Sequence, residues 1–184
     1  MDAIDDALRV IASLNDANVD YVVVGGVAMN LRGLIRATED LHNFLRPDPA
    51  NIARLRNALK RVWSDPAIDQ ITAEDLCRDY PVVGYGPPEG TLYLDIITRL
   101  GEATAFEDLN VEIKDAQGVP VRLATPETLY RMKKDTVRPI DHSDAHALRA
   151  AFKLDEDQTH HARGQVQKRL RHAAHRARRR PRSH

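Results

Sequence analysis

The chain has 184 residues, 42% of them apolar and 29% charged, a balance that suits one soluble globular domain with a real core. Its apolar runs are far too short to span a bilayer, and the acidic start MDAIDD fits neither a signal peptide nor a transit peptide. One cysteine, Cys77, excludes an internal disulfide and suits a reducing cytoplasm; with no histidine close by in sequence it reads as a buried or inert thiol.

The net charge of zero hides an asymmetry. From residue 160 to residue 184 there are nine Arg or Lys and no acid, which leaves eighteen bases against twenty-seven acids on the rest of the chain. The sequence therefore divides into a body, residues 1–155, and a basic arm, residues 156–184, expected to be partly helical or disordered. Such an arm is an electrostatic handle for RNA or DNA, because releasing counterions from phosphates drives binding without sequence preference. A solvated tail, or one folding back on its own acidic body, has the same composition.

In chain order, Ile4, Ala7, Leu8, Ile11 and Leu14 recur at helical spacing, and Asn15 to Asn18 ends that helix. Tyr21 to Val24 is β-branched and continuous, the pattern of a buried strand. Gly25-Gly26 turns it into a short helix, Val27 to Arg32, closed by Gly33. Thr38 to Leu45 is the second strand. After Pro47 a helix carries Ile52, Leu55, Leu59 and Val62 on its inner stripe. Residues 64–90 are less regular, and GYGPPEG reads as a loop. TLYLDIITRLG (91–101) is a strand with Asp95 at its centre, and NVEIKDAQGVPVRLAT is a hairpin turning at Asp115 to Gly118. Thr125 caps a helix that has Pro126 at its first position and runs to about Lys134; Pro139 interrupts it, and Asp141 to Phe152 forms the last helix. There is no internal repeat.

Three of these pieces carry chemistry. The Gly25-Gly26 turn lets backbone amides approach a phosphate, and the following helix adds a favourable dipole. Asp40 and Asp95 sit within otherwise apolar strands, so a divalent cation shared between them competes with the blander reading of two surface acids. Asp40 and His42 stand two residues apart, hence on one face of their strand.

The segment VVVGGVAMNLRGLIRATEDLHNFLRP resembles the first motif of the polymerase-β-type minimal nucleotidyltransferases: a hydrophobic strand, Gly-Gly or Gly-Ser, a spacer, then Asp-x-Asp. Fourteen residues separate Gly26 from Asp40, close to that family's spacing. TLYLDIITRLG is similar to the strand supplying the third carboxylate. TPETLYRMKKDTVRPIDHSDAHAL resembles the closing segment of the AbiEii/MenT-like toxin branch, with a lysine on one helix and Asp-x-x-Asp starting the next. The likeness covers about residues 4 to 153. It implies an α/β (α+β) nucleotidyltransferase fold, a small mixed sheet flanked by helices with a C-terminal helical segment. It also implies transfer of NMP from an NTP to an acceptor hydroxyl, as the toxin of a toxin–antitoxin pair acting on a tRNA 3′ end. The implied partners are NTP, RNA met by the arm at residues 160–184, and a cognate antitoxin protein, with no membrane.

Residue by residue, the resemblance implies that Gly25 and Gly26 meet the triphosphate and that Asp40 and Asp95, with position 42, hold Mg²⁺. Lys133 would touch nucleotide phosphates, and Asp141 and Asp144 would order the site by positioning Lys133 or the acceptor. Arg36 and Thr38 would share the face of Asp40 and reach a phosphate or the incoming hydroxyl. Lys133 as a surface cation and Asp141 as a plain helix cap are the structural alternatives.

His42 departs from the pattern, which wants a second acid there. Imidazole removes one unit of negative charge and is a poor ligand for Mg²⁺. One reading keeps the chemistry, slowed or run with Mn²⁺, with His42 as metal ligand or general base. A second makes the chain a catalytically degenerate module that binds nucleotide, RNA or a partner protein. A third shifts the strand so that Glu39 substitutes, but a one-residue slip reverses every side chain on the strand. The last leaves His42 a tolerated surface histidine at an unused cleft.

Overall fold

The computed structural model describes residues 3–79, 81–100 and 104–154; the arm at 156–184 lies outside them. Helix α1 (Ala3–Asp16) buries the stripe of Ala7, Leu8, Ile11 and Leu14 and carries Asp5 and Asp6 in its first turn, where acids favour the dipole. It ends where Asn18 takes a left-handed backbone (φ 52°), a conformation that asparagine tolerates. Strand β1 (Tyr21–Val24) follows, buried on both faces. Helix α2 (Gly25–Leu31) begins at once, so both glycines lie inside its first turn rather than ahead of it.

Strand β2 (Asp40–Leu45) runs antiparallel to β1, with Tyr21 opposite Leu45 and Val24 opposite His42. It starts two residues later than the alternation predicts, because Arg36 and Thr38 are taken up by local bonds. The Asn30 amide clasps the backbone of Arg36 from both sides (2.6 and 2.7 Å), and Thr38 Oγ1 accepts from the Asp40 N–H at 3.2 Å. Helix α3 (Pro49–Val62) is capped by Asp48, whose carboxylate accepts from Asn51 N–H at 3.0 Å. The Asn51 side chain is fully buried and bonded to the backbone of Asp20 and Arg46, which ties the helix to the start of β1 and the end of β2.

The irregular region holds a 3₁₀ turn (Pro66–Gln70), a π turn (Asp75–Asp79) and then strand β3 (Val82–Tyr85). Gly84 and Tyr85, expected in a loop, therefore belong to a strand. Strand β4 (Tyr93–Ile97) pairs antiparallel with β3 and parallel with β2; the apolar stretch that continues beyond it is a separate short strand, β5 (Arg99–Leu100), paired with β6 (Thr104–Ala105). Strands β7 (Val111–Ala116) and β8 (Val119–Ala124) form the expected hairpin, turning on Gln117 and Gly118, both at positive φ. Helix α4 (Pro126–Lys133) has Thr125 as its cap, and helix α5 (Pro139–Phe152) closes the described chain. Pro139 opens that helix instead of interrupting one, the position where its missing N–H costs nothing.

The main sheet has the order β3-β4-β2-β1-β8-β7, and β8 runs parallel to β1. It is a mixed sheet flanked by helices. Helices α1 and α3 pack against each other, joined by a buried bond from Ser13 Oγ to the carbonyl of Ala58 at 2.8 Å. Of the described helices, none is long and apolar enough to cross a membrane.

Candidate functional site

Strand direction decides what can meet. Because β1 and β8 run parallel while β2 and β4 run the other way, one end of the sheet collects the exits of β1 and β8 and the entrances of β2 and β4. Gly25 and Gly26 leave β1 there, Asp40 enters β2 there, and Thr125 opens α4 there.

The register then sets a row across the sheet. Val24 lies opposite His42, His42 opposite Asp95, and Asp95 opposite Gly84. In the next row Asp40 faces Tyr93. Residues facing one another on neighbouring strands share a face, and the side chains do meet. His42 Nε2 lies 2.9 Å from Asp95 Oδ2, the two side chains 25% and 28% exposed. A carboxylate only accepts, so Nε2 carries the proton of this bond. The other ring nitrogen, Nδ1, is buried with no hydrogen-bond partner among the described residues.

Gly25 explains that burial. Its backbone is left-handed (φ 69°), and a Cβ built on it would fall 2.8 Å from Nδ1 and 2.9 Å from Cγ of His42. The imidazole thus rests on the glycine, where no other residue fits. Gly26 is matched in the same way with Thr38: a Cβ there would come 2.7 Å from that of Thr38. Asp40 is half-buried, and its carboxylate has no hydrogen bond or ion pair among the described residues.

A second group gathers at the α4–α5 junction. Lys133 Nζ donates to Asp141 Oδ1 at 2.7 Å and to Asp144 Oδ2 at 2.8 Å. Asp141 and Asp144 are three apart on α5 and both buried, so they face the lysine together. Thr136 donates to Asp141 Oδ2 at 3.2 Å, and Arg36 Nε lies 3.3 Å from Asp144 Oδ1. Burial pushes the Asp141 carboxyl up, but the hydrogen bond and charge of Lys133, helped by Thr136 and Arg138, outweigh it and hold the group below its ordinary range. Among the described residues no hydrogen bond or ion pair joins this cluster to the Gly25, His42 and Asp95 group; Arg36, four residues ahead of Asp40, is the covalent link.

Two contributors escape sequence reasoning. Arg32, its side chain only 5% exposed, leaves the end of α2 to bond the carbonyl of Ala124 at 3.1 Å and to pair with Glu112, fastening α2 to the β7–β8 hairpin. Tyr93 lies across β3: a Cβ on Gly84 would fall 2.1 Å from its hydroxyl, and one on Gly86 would be 3.3 Å from its ring. No local pattern marks Arg32, whereas the glycines at 84 and 86 would mark Tyr93 once the strand pairing is known.

The donor set can be tested against the metal that the sequence implies. Asp40 and the free oxygen of Asp95 are hard ligands of the kind Mg²⁺ prefers. His42 adds nothing to them, since Nε2 is engaged with Asp95 and Nδ1 is covered by Gly25. Among the described residues no three His, Cys, Asp or Glu side chains are arranged to hold a metal ion.

No family model matches the chain, and no curated protein matches it in sequence. Solved structures do resemble it. The antibiotic-resistance factor ANT(2″)-Ia in solution superposes with a TM-score of 0.52 at 15% identity, over 96% of this chain and 98% of that one. A crystal structure of ANT(2″)-Ia in complex with adenylyl-2″-tobramycin gives 0.49 at 13% identity, covering 88% and 95%. An antigenic nucleotidyltransferase-like protein from Paracoccidioides brasiliensis gives 0.48 at 18% identity, covering 92% and 91%. At such identities the likeness speaks of architecture alone, and the first superposition carries it: the chain has the nucleotidyltransferase fold, a mixed sheet flanked by helices.

Proposed function

We propose that the chain transfers NMP from an NTP to an acceptor hydroxyl, with RNA, the 3′ end of tRNA, as acceptor, and that it serves as the toxin of a toxin–antitoxin pair at reduced catalytic power. The observation that carries the first part is the convergence of Gly25, Asp40 and Asp95 at one end of a nucleotidyltransferase sheet. The segment Thr125 to Leu148 supports the toxin branch, and the nine bases of residues 160–184 support an RNA partner.

In this reading the amides of Gly25 and Gly26, which open α2, bind triphosphate oxygens. Lys133 spends two of its three donors on Asp141 and Asp144 and keeps the third for a phosphate oxygen. The acceptor oxygen attacks the α-phosphorus, the bond to the bridging oxygen breaks, and pyrophosphate leaves with that electron pair. The hydroxyl proton passes to the second oxygen of the Asp40 carboxylate, which has no hydrogen bond or ion pair among the described residues. A divalent cation, Mg²⁺ or Mn²⁺, held by Asp40 and Asp95 would supply neutralisation of the triphosphate charge. His42 holds Asp95 in place by the Nε2 bond and is not the base, because neither of its nitrogens is open to the acceptor.

The same bond favours a second reading, a degenerate member that binds nucleotide, RNA or a partner without chemistry. One experiment separates them: incubation with each labelled NTP, total tRNA and Mg²⁺ or Mn²⁺, comparing wild type, Asp40→Ala and His42→Asp. Slow label transfer by wild type, lost in Asp40→Ala and raised in His42→Asp, is expected. Transfer by His42→Asp alone supports the degenerate reading, and silence from all three with nucleotide binding intact sinks the enzyme.

A further inference from the structure

The pattern of the fold family places two acids on the strand that here carries Asp40 and His42, and that difference has a structural consequence at the ions. We propose that this site takes a single divalent cation, on Asp40 and the free oxygen of Asp95, and that the His42 imidazole stands where a second ion would otherwise be held. The proposal rests on the nucleotidyltransferase reading and specifies its cofactor.

The imidazole is held on two sides. Its Nε2 is bonded to Asp95 Oδ2 at 2.9 Å, which spends that nitrogen on the carboxylate and not on an ion. The bond is built into the sheet, because His42 and Asp95 are direct partners in the parallel β2–β4 register. Behind the ring, the missing side chain of Gly25 is what makes room for it: a Cβ built there would lie 2.8 to 3.2 Å from Nδ1, Cγ and Cβ of His42. Nδ1 itself is buried and without a partner among the described residues. Neither nitrogen therefore offers a lone pair to an ion lying beside Asp40.

Charge leads to the same count. Two divalent ions about 4 Å apart repel strongly and are tolerated only where several carboxylates bridge them. Here the two strands offer two carboxylates, Asp40 and Asp95. Glu39 does not make up the deficit: its carbonyl accepts from Tyr93 N–H at 3.0 Å, which keeps Asp40 rather than Glu39 in register with β4, and Glu39 is exposed. Mg²⁺ is commonly held by one or two carboxylates, with water and substrate phosphates completing its octahedron, so the remaining donors suffice for one ion.

The test counts ions on the full chain. Mn²⁺ is titrated into wild type, His42→Asp and His42→Asn, each saturated with an NTP analogue carrying a non-cleavable α,β-methylene bridge. Bound Mn²⁺ is measured by equilibrium dialysis, and its electron paramagnetic resonance shows whether two ions are close enough to couple. One uncoupled ion is expected for wild type, two coupled ions for His42→Asp, and one for His42→Asn, which frees Asp95 without adding an acid. Circular dichroism confirms that each variant is folded; if His42→Asp is not, the wild-type and His42→Asn counts decide. Two coupled ions in wild type, no ion in wild type, or the same single ion in a folded His42→Asp would each overturn the proposal. Dialysis of the labelled analogue runs alongside. Failure of the analogue to bind at all removes the nucleotidyltransferase reading together with this one, whereas binding with two ions removes this one alone.

Discussion

The imidazole of His42 occupies the space that any side chain at Gly25 would need. A Cβ on Gly25 would lie 2.8 Å from His42 Nδ1, closer than carbon and nitrogen approach without a bond, and the glycine also holds a left-handed backbone at φ 69°. Two separate costs thus attach to one substitution. Gly25→Ala is expected to destabilise the fold by roughly 1–3 kcal/mol, about half of it from the backbone conformation. Adding His42→Ala should recover the steric part and leave the backbone part. Urea unfolding of the single and double variants measures both, and a Gly25→Ala variant as stable as wild type would contradict the geometry.

The elements that the sequence announces are those whose signal is local. Tyr21 to Val24 reads as a buried strand because four large β-branched or aromatic residues leave no polar face. Thr125-Pro126 announces α4 because a cap and a proline at the first turn act within a few residues. What fails is what depends on a distant partner. Strand β3 was hidden by Gly84 and Gly86, which look like loop residues until the Tyr93 ring is laid across them. Position 42 could be marked as the odd residue from its spacing to Asp40, but its bond to Asp95 is a matter of register between strands fifty residues apart. Likewise the grouping of Lys133 with Asp141 and Asp144 is implied by the resemblance of its segment, while the contact of Arg36 with Asp144 spans over a hundred residues of chain.

Asn43, next to His42 but on the opposite face of β2, is 1% exposed, and neither atom of its amide finds a hydrogen-bond partner among the described residues. It sits between Val23 and Ile96 in the register. Leucine has the same number of side-chain heavy atoms and no polar group to desolvate. Asn43→Leu is expected to stabilise the protein by about 1–3 kcal/mol. A raised urea midpoint with an unchanged slope is the signature; a lowered midpoint would show that the amide is satisfied.

Acid should unfold the protein partly through Asp141. Its carboxyl lies below the ordinary value of 3.8 when folded, so it binds protons more readily in the unfolded chain. The stabilisation it contributes is present above that unfolded value and is lost as pH falls through the folded one. Wild type should therefore be more stable than Asp141→Asn at neutral pH, and the difference should shrink below about pH 4. Unfolding free energies measured across that range decide it, and a difference that grows on acidification would refute the assignment.

Lys133 tests whether the cluster is a staple of the helix pair as well as a site. Its Nζ is the cation bonded to two buried carboxylates at 2.7 and 2.8 Å, and its own side chain is 12% exposed. Lys133→Met keeps most of the packing volume but strands Asp141 and Asp144, leaving them, among the described residues, Arg138 at 3.9 Å, the Thr136 hydroxyl and Arg36 at 3.3 Å. Removing one partner of a buried pair typically costs about 3–5 kcal/mol, because the remaining charge stays desolvated. Lys133→Met should lose about that much at neutral pH, and the triple variant with Asp141→Asn and Asp144→Asn should regain most of it. If stability returns in the triple variant while label transfer from NTP does not, the lysine has a role in transfer that its structural partners cannot explain. If the single substitution leaves stability unchanged, the ion pairs contribute no net energy and α4 and α5 are held by apolar packing, with Leu129 and Leu148 both buried.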